Sequence, residues 1–391
     1  MNNNYLKKFA TSLCAVAMLA GCGGSASSST TASPAASAGT SSAAAFQESA
    51  SSSIQPLNIM FVVTGNLGGG TNNDDVNSAL QDYTSKYGGS VNTYECNMDT
   101  SVYETTLKQA AETGNYDLIV TGFGTMAEPL ANTAAMYPDQ KFLIFDTSMD
   151  YSDGKNSNVI SVQVLQNQGA FLAGALAALM TTSDAELSNA DKVVGFVGAM
   201  ESTAIQDCLI GYIEGVNYID PSIEVLYSFV GSHTDSALTK EMALTQNQNG
   251  ADIIYGVSQS DLAVADAALD NNFYAICSDA DDATSIAATS PDTANHIVTS
   301  VIKNYYSMVY PVLEEIGSGT AQFGTHSSIS YADGGVSLAQ NEYFDNAVPD
   351  DVKTAFQAVV DDMTAGKIKV DTAYGATTEE IAEIENKAAA Q

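Results

Sequence analysis

Two apolar runs end in aspartate: Lys141–Phe145 leads into Asp146, and Phe273–Ser278 leads into Asp279. In open parallel sheets ligands settle outside the carboxyl ends of the strands, so a carboxylate at a strand tip is placed to accept hydrogen bonds from one. The competing role for such a residue is a helix N-cap. A further candidate is the loop Gly65–Asn77, which follows the apolar run Asn58–Thr64. Its glycines let backbone N–H groups approach a ligand, and a plain mobile loop fits equally well. No Gly-Lys-Ser/Thr follows, so it is not a phosphate loop. Other chemistries find little support. His233, His296 and His326 are scattered, and no Gly-x-Ser-x-Gly elbow occurs. The run Asp279-Ala280-Asp281-Asp282 invites a calcium site, but its sixth position is Thr284 and its twelfth Ser290, which excludes an EF-hand. Hydrolysis by a carboxylate pair is the remaining enzymatic alternative, and the 46 acidic residues make chance pairs common. A non-enzymatic role without metal or cofactor is the expectation.

Positioning the strand tips requires alternating β and α elements. The organising stretch is Lys192–Val216, KVVGFVGAMESTAIQDCLIGYIEGV. It opens with a β run at Val193–Val197 and a glycine-bearing turn. A helix follows, with Ile205, Leu209, Tyr212, Ile213 and Val216 at three- and four-residue steps. Before it, strands are expected at Asn58–Thr64, Ser90–Tyr94, Asp117–Thr121, Lys141–Phe145 and Asn158–Val164. Helices are expected at Val76–Tyr87, Thr100–Glu112 and Met126–Met136. The helix Gln168–Met180 is rich in Ala and Gly, which permits close packing on a sheet. After the organising stretch the pattern repeats, with strands at Ile223–Val230, Asp252–Val257, Phe273–Ser278 and His296–Ser300. A helix at Lys303–Ile316 leads back to the first half. Ser327–Ser337 reads as extended, and Asp350–Gly366 and Thr377–Lys387 as polar helices. The fold class is therefore α/β, with two Rossmann-like lobes around a cleft. Lobe 1 takes residues 56–165 with parts of 302–391 returning to it, and lobe 2 takes 166–301. A length of 391 residues suits two such cores.

The start of the chain reads as a bacterial export signal. Lys7 and Lys8 precede an apolar run, Phe9–Leu19, too short to span a bilayer. Residues 1–21 end in Leu19-Ala20-Gly21-Cys22, which resembles a lipobox and implies a lipid on Cys22. Residues 22–55, nearly all Ser, Ala, Gly and Thr, then form a flexible tether. The expected location is the extracytoplasmic face of the membrane. Charge narrows the partners. The net charge is −33, and all 13 cations are lysines. Nucleic acid lacks its basic footprint, and a phosphorylated ligand lacks a guanidinium clamp. Cys96, Cys208 and Cys277 show no metal-ligand spacing and read as buried thiols.

Several segments together resemble the basic membrane lipoprotein family, the purine-nucleoside-receptor-like substrate-binding proteins of ABC importers. They are DLIVTGFGTMAEPLANTAAMYPDQKFLIFD, NVISVQVLQNQGAFLAGALAALM, the organising stretch, GADIIYGVSQSDLAVADAAL, YAICSDADD and IVTSVIKN. The resemblance covers about Leu57 to Lys369. It implies a type I periplasmic binding fold whose lobes close on a nucleoside-like solute and present it to a permease, with a monomer expected. It also implies site residues: Asn77 and Asp74 or Asp75 in the N-terminal ligand loop, Asp146, Asp279 and Lys303, with strand-end carboxylates holding sugar hydroxyls. Tyr212 keeps an aromatic at one family position. The departures are Val76 and Cys208, where the family carries aromatic residues that stack on a base, and Ser258–Asp261 in place of a glycine-rich turn. They leave open a different polar ligand or a sensor role on the same scaffold, with Phe123 or Tyr212 as alternative stacking rings.

Overall fold

The computed structural model describes residues 54–68 and 71–388. The expected signal peptide, Cys22 and all but the end of the tether lie outside the described residues. In chain order the elements begin β1 (Leu57–Val63), α1 (Asn72–Tyr87), β2 (Gly89–Glu95), α2 (Tyr103–Glu112), β3 (Leu118–Gly122), α3 (Ala127–Met136), β4 (Phe142–Phe145) and β5 (Val159–Val164). Next come α4 (Gln166–Thr181), β6 (Val193–Gly198), α5 (Thr203–Ile219), β7 (Glu224–Phe229), α6 (Ser236–Gln248), β8 (Ala251–Val257), α7 (Leu262–Asn271) and β9 (Tyr274–Asp279). The chain continues with α8 (Asp282–Ile286), α9 (Pro291–Ala294), β10 (Ile297–Lys303), α10 (Tyr305–Ser318), β11 (Thr325–Ile329), β12 (Val336–Leu338), α11 (Glu342–Ala347), α12 (Asp350–Thr364) and α13 (Thr378–Glu385).

Two six-stranded sheets carry the same strand plan, β11-β5-β4-β3-β1-β2 in lobe 1 and β12-β10-β9-β8-β6-β7 in lobe 2. Pairing is parallel throughout except between β10 and β12. Strands such as Phe142–Phe145 and Val193–Gly198 are buried along their whole length, as parallel strands covered on both faces must be. Each sheet has apolar cores on both sides. In lobe 1 they centre on Leu80 and Leu313 on one face and on Leu107 and Leu130 on the other. In lobe 2 they centre on Leu176 and Leu209, and on Val264 and Phe273.

The chain crosses between the lobes three times. Leu165 joins β5 to α4, Asn304 joins β10 to α10, and residues 330–335 join β11 to β12. The crossings are strapped to one another. The Leu165 N–H donates to Ile329 O at 2.9 Å, the Asn304 N–H to Gly335 O at 2.9 Å, and the Tyr331 N–H to Gln168 Oε1 at 2.7 Å. After α10 and β11 return to lobe 1, the C-terminal helices α12 and α13 lie against α4 and α5 of lobe 2.

Three differences from expectation have local causes. The first helix starts four residues early, at Asn72, because Asp74 reaches back to the Thr71 N–H at 2.7 Å and closes a capping box. Lys303 ends β10 rather than opening a helix. The Asn304 side chain caps α10 by accepting from the Ser307 N–H at 2.9 Å. The end of the expected tether is docked, since Gln55 donates to Gly317 O at 2.9 Å and accepts from the Tyr83 hydroxyl at 2.7 Å. The short helices α8, α9 and α11 are too brief for periodicity to reveal.

The small residues of α4 serve a helix contact more than a sheet contact. Gly174 faces the Tyr212 carbonyl, Gly211 faces the Asn167 carbonyl, and Gly215 faces the Phe171 carbonyl. At each, an added Cβ would collide with backbone, so the α4–α5 approach is set by missing side chains. Gly211→Ala should therefore lower stability by about 1–3 kcal/mol, overriding the gain of roughly 1 kcal/mol in helix propensity. Urea unfolding of the variant checks this, and equal or higher stability would refute it.

Candidate functional site

β4 and β9 occupy matching places in the two sheets, and each ends in one of the strand-tip aspartates. Both aspartates have left-handed backbones, φ 53° at Asp146 and φ 69° at Asp279. Aspartate tolerates that region better than most residues, and the conformation turns the chain out of the sheet at its tip. Phe123, just past β3, does the same with φ 70°. Its N–H donates to Phe145 O, and that of Asp146 to Val162 O, both at 2.8 Å.

Lys303 brings the lobes together chemically. It ends β10, beside β9, and its Nζ lies 3.5 Å from Asp279 Oδ1 in its own lobe. The same Nζ lies 3.6 Å from Asp146 Oδ2 in lobe 1. The Lys303 and Asp146 side chains keep only 16% and 17% of their surface, whereas Asp279 keeps 44%. The Tyr305 hydroxyl, from the first turn of α10, donates to Asp146 Oδ2 at 2.9 Å. Burial pushes the Asp146 carboxyl above the usual range, with Lys303 opposing and Asp279 reinforcing. Burial works against the Lys303 ammonium, yet Asp146 and Asp279 together hold it well above the usual lysine range. The set has one more carboxylate than cation. It suits donors such as sugar hydroxyls or an amine and repels phosphates and carboxylates.

Aromatic rings flank this set. Phe123, half-buried, packs edge-on against Phe145 with centroids 5.3 Å apart and lies 6.1 Å from the Tyr305 ring. Asn77 sits on the second turn of α1, and its Oδ1 is buried with no hydrogen-bond partner among the described residues. Such an acceptor is costly unless a ligand donor completes it.

The Asp74 oxygens accept from the Gly68 N–H at 2.6 Å and the Thr71 N–H at 2.7 Å. Tyr212 is a correction. It is fully buried, packed on Phe196 and Tyr255, and its hydroxyl feels Asp252 at the amino end of β8, the edge opposite Asp279. Its helical spacing marked a core face. Val76 is fully buried, and Cys208 is 4% exposed. Cys96, Cys208 and Cys277 are free, buried thiols.

Sequence reasoning missed Tyr305, Asp207 and Asp261. The Asp261 carboxylate is buried and accepts from the Ser278 N–H at 2.8 Å and the Ser278 hydroxyl at 3.0 Å, which fixes the residue before Asp279. Its neighbour Asp282 has a buried oxygen without a partner, and Asp261, Cys277 and Asp282 present donor atoms within 4.8 Å of one another. Asp261 is already committed to Ser278 and burial keeps the Cys277 thiol protonated, so this group suits a retained proton better than a cation. Among the three acids at 279–282, Asp281 instead caps α8, accepting from the Thr284 N–H at 3.2 Å.

A two-lobed α/β body with hydrogen-bonding groups where its lobes meet defines the class of solute-binding proteins. Solved structures agree on the fold. A solute-binding protein of an ABC transporter system from Aeropyrum pernix K1 superposes with a TM-score of 0.67 at 23% identity, covering 86% of this chain and all of that one (100%). A sugar-binding protein of an ABC transporter from Bacillus halodurans gives 0.57 at 14% identity, over 74% of this chain and 99% of that one. The chain belongs to the Bmp family of PnrA-like ABC transporter substrate-binding proteins, whose family model matches residues 57–364. Among curated relatives, the ABC transporter nucleoside-binding protein BmpA of Lactococcus lactis is 27% identical over 289 residues, 71% of this chain and 77% of that protein. An uncharacterized lipoprotein of Pyrococcus furiosus is 29% identical over 172 residues, 42% of this chain and 41% of that protein.

Two tests follow from the electrostatics. Burial, aided by Asp279 and Asp281, pushes Asp282 up to about 7. Burial also pushes Glu214 to about 7 and Asp252 to about 6. The folded chain thus binds more protons than the unfolded one between about pH 4 and 7, and stability falls as pH rises through that window. His326, whose ionisation burial lowers, works the other way. Thermal melts should give a higher Tm at pH 5 than at pH 8, and Asp282→Asn should flatten the slope. A Tm that rises with pH would contradict this. Separately, Lys303→Met should destabilise the protein more at pH 8 than at pH 5, because burial pushes the Asp146 carboxyl up and lets it take up a proton at the lower pH once the ammonium is gone. Equal losses at both values would show that the ammonium is not what holds the carboxylates together.

Proposed function

We propose that this protein is the extracytoplasmic receptor of an ABC importer, anchored through a lipid on Cys22, and that it binds a nucleoside by closure of its two lobes. The observation that carries the reading is the Lys303 ammonium between Asp146 and Asp279, one carboxylate from each lobe at matching strand tips. A ribose presents neighbouring hydroxyl donors to such carboxylates, and the orphaned acceptor on Asn77 awaits a donor from the same solute. Phe123 offers a ring beside Asp146 for a base. The nucleoside-binding name of the Lactococcus lactis relative supports the ligand class, and the lipoprotein name of the Pyrococcus furiosus relative supports the anchor. No helix among the described residues is long and apolar enough to cross a membrane. The protein acts as a monomer and carries out no chemistry on its ligand.

One observation favours a second reading, a different small polar solute on the same scaffold. Val76 and Cys208 offer no ring for a base. Titration calorimetry and thermal shift with adenosine, guanosine, inosine, uridine, ribose and amino acids separate the two. A ligand at 100 times its Kd should add about 2.7 kcal/mol of stability. Asp146→Asn and Asp279→Asn should each abolish the nucleoside response while the protein stays folded. A shift with ribose or an amino acid and none with any nucleoside would establish the second reading. For the anchor, Cys22→Ala should move the protein from the membrane fraction to the soluble fraction.

A further inference from the structure

The segment between α12 and α13, residues 365–377, has neither helix nor strand, yet hydrogen bonds to α4 and α5 tie it to lobe 2. The Thr372 hydroxyl donates to Asp207 Oδ1 at 2.5 Å, and the Ala373 N–H donates to the same oxygen at 3.0 Å. The Asp371 N–H donates to Glu214 Oε2 at 2.9 Å, and the Asn167 amide donates to Asp371 O at 2.9 Å. Asp207 is only 2% exposed. A carboxylate buried this deeply is costly and persists where its hydrogen bonds fix something. What it fixes is the approach to Tyr374. The Tyr374 N–H donates back to Thr372 Oγ1 at 3.2 Å, and Gly375 follows with φ +82° and open space where a Cβ would stand. The chain therefore turns at Tyr374 and Gly375.

The anchors of this segment lie toward the candidate site. Asp207 is in the second turn of α5, which follows the carboxyl end of β6, and Asn167 is in the first turn of α4, two residues past the Leu165 crossing. Tyr374 is half-buried. After burial, the charges acting on its hydroxyl are those of Asp207 and Asp146, with Lys303 opposing. A segment hydrogen-bonded to α4 and α5 of lobe 2 thus holds a tyrosine whose hydroxyl feels the charges of Asp146 in lobe 1 and of Lys303.

We propose that Tyr374 is a specificity residue: it supplies from lobe 2 an aromatic face of the ligand site, so the solute carries a flat ring as well as its polar groups. The proposal deepens the nucleoside reading and rests on it. Asp207 and Glu214 are then positioning residues, and the C-terminal segment is part of the receptor's binding surface rather than a trailing end.

The test uses the mature protein and three substitutions, with inosine as the ringed probe and ribose as the ringless one. Tyr374→Ala should weaken inosine by about 5- to 150-fold, the range that base stacking on an aromatic spans, and leave ribose unchanged. Tyr374→Phe should keep wild-type affinity for both. The chain contains no tryptophan (Trp 0), so in Tyr374→Trp the indole emission reports this position alone. Inosine should shift that emission with the same Kd as calorimetry gives. Wild-type inosine affinity in Tyr374→Ala, or unchanged emission at saturating inosine, would overturn the proposal. So would equal losses for inosine and ribose with a lowered Tm, which mark a structural strap. If the wild type binds no nucleoside, the two ideas part company: an aromatic amino acid that shifts the emission sinks the nucleoside and keeps the ring, and no shift with any aromatic solute sinks both.

Discussion

A single buried ammonium placed between two carboxylates organises the region where the lobes meet. Asp146 and Asp279 sit at matching tips of two sheets, and without Lys303 their charges would repel across that region. With it, lobe 1 and lobe 2 share a cation at 3.6 and 3.5 Å. The arrangement also sets the site's preferences. Burial strengthens every charge in it, and the surplus is negative, so donors are welcome and anions are not. The absence of arginine elsewhere in the chain is consistent with that preference.

The crossings make this geometry possible. Lys303 lies immediately before one of them, and Tyr305 immediately after it. One strand end and one helix start therefore deliver a cation and a phenol to the same Asp146 oxygen. The neighbouring crossings are hydrogen-bonded to each other, so a change in the lobe angle must move all three together. Behind them the glycine seam between α4 and α5 gives lobe 2 a dense interior, and the buried Asp207 of α5 holds the C-terminal segment through Thr372 and Ala373.

Much of this was legible residue by residue. The apolar runs ending at Asp146 and Asp279 marked both strands and their tips, since fully buried parallel strands leave a continuous apolar signal. Lys303 was singled out through family resemblance, although the helix expected to begin there starts two residues later because Asn304 caps it. Asp74, expected at a ligand, also accepts from the Gly68 and Thr71 N–H groups, since a carboxylate three residues into a helix finds backbone N–H groups nearby. Tyr212 was carried over as a site aromatic, but its spacing with Leu209, Ile213 and Val216 is that of a core face. The Ala- and Gly-rich helix was read as packing closely on a sheet, which Gly169 does against Val301 and Val336; its closer contact, with α5, went unread. Tyr374 gave no signal at all, because nothing local distinguishes an aromatic in an irregular segment from any exposed tyrosine.

The sequence by itself determined the alternation of strands and helices, the two-lobed plan and the acidic, arginine-free character, because hydrophobic period and composition act locally and sum along the chain. Only the tertiary structure decided which charges meet. The partners of Lys303 lie 157 and 24 residues away, and those of the Tyr374 segment lie on helices that precede it by more than a hundred and fifty residues. Electrostatic and hydrogen-bond partners over such separations are chosen by how the sheets and crossings pack, and no local pattern records that choice.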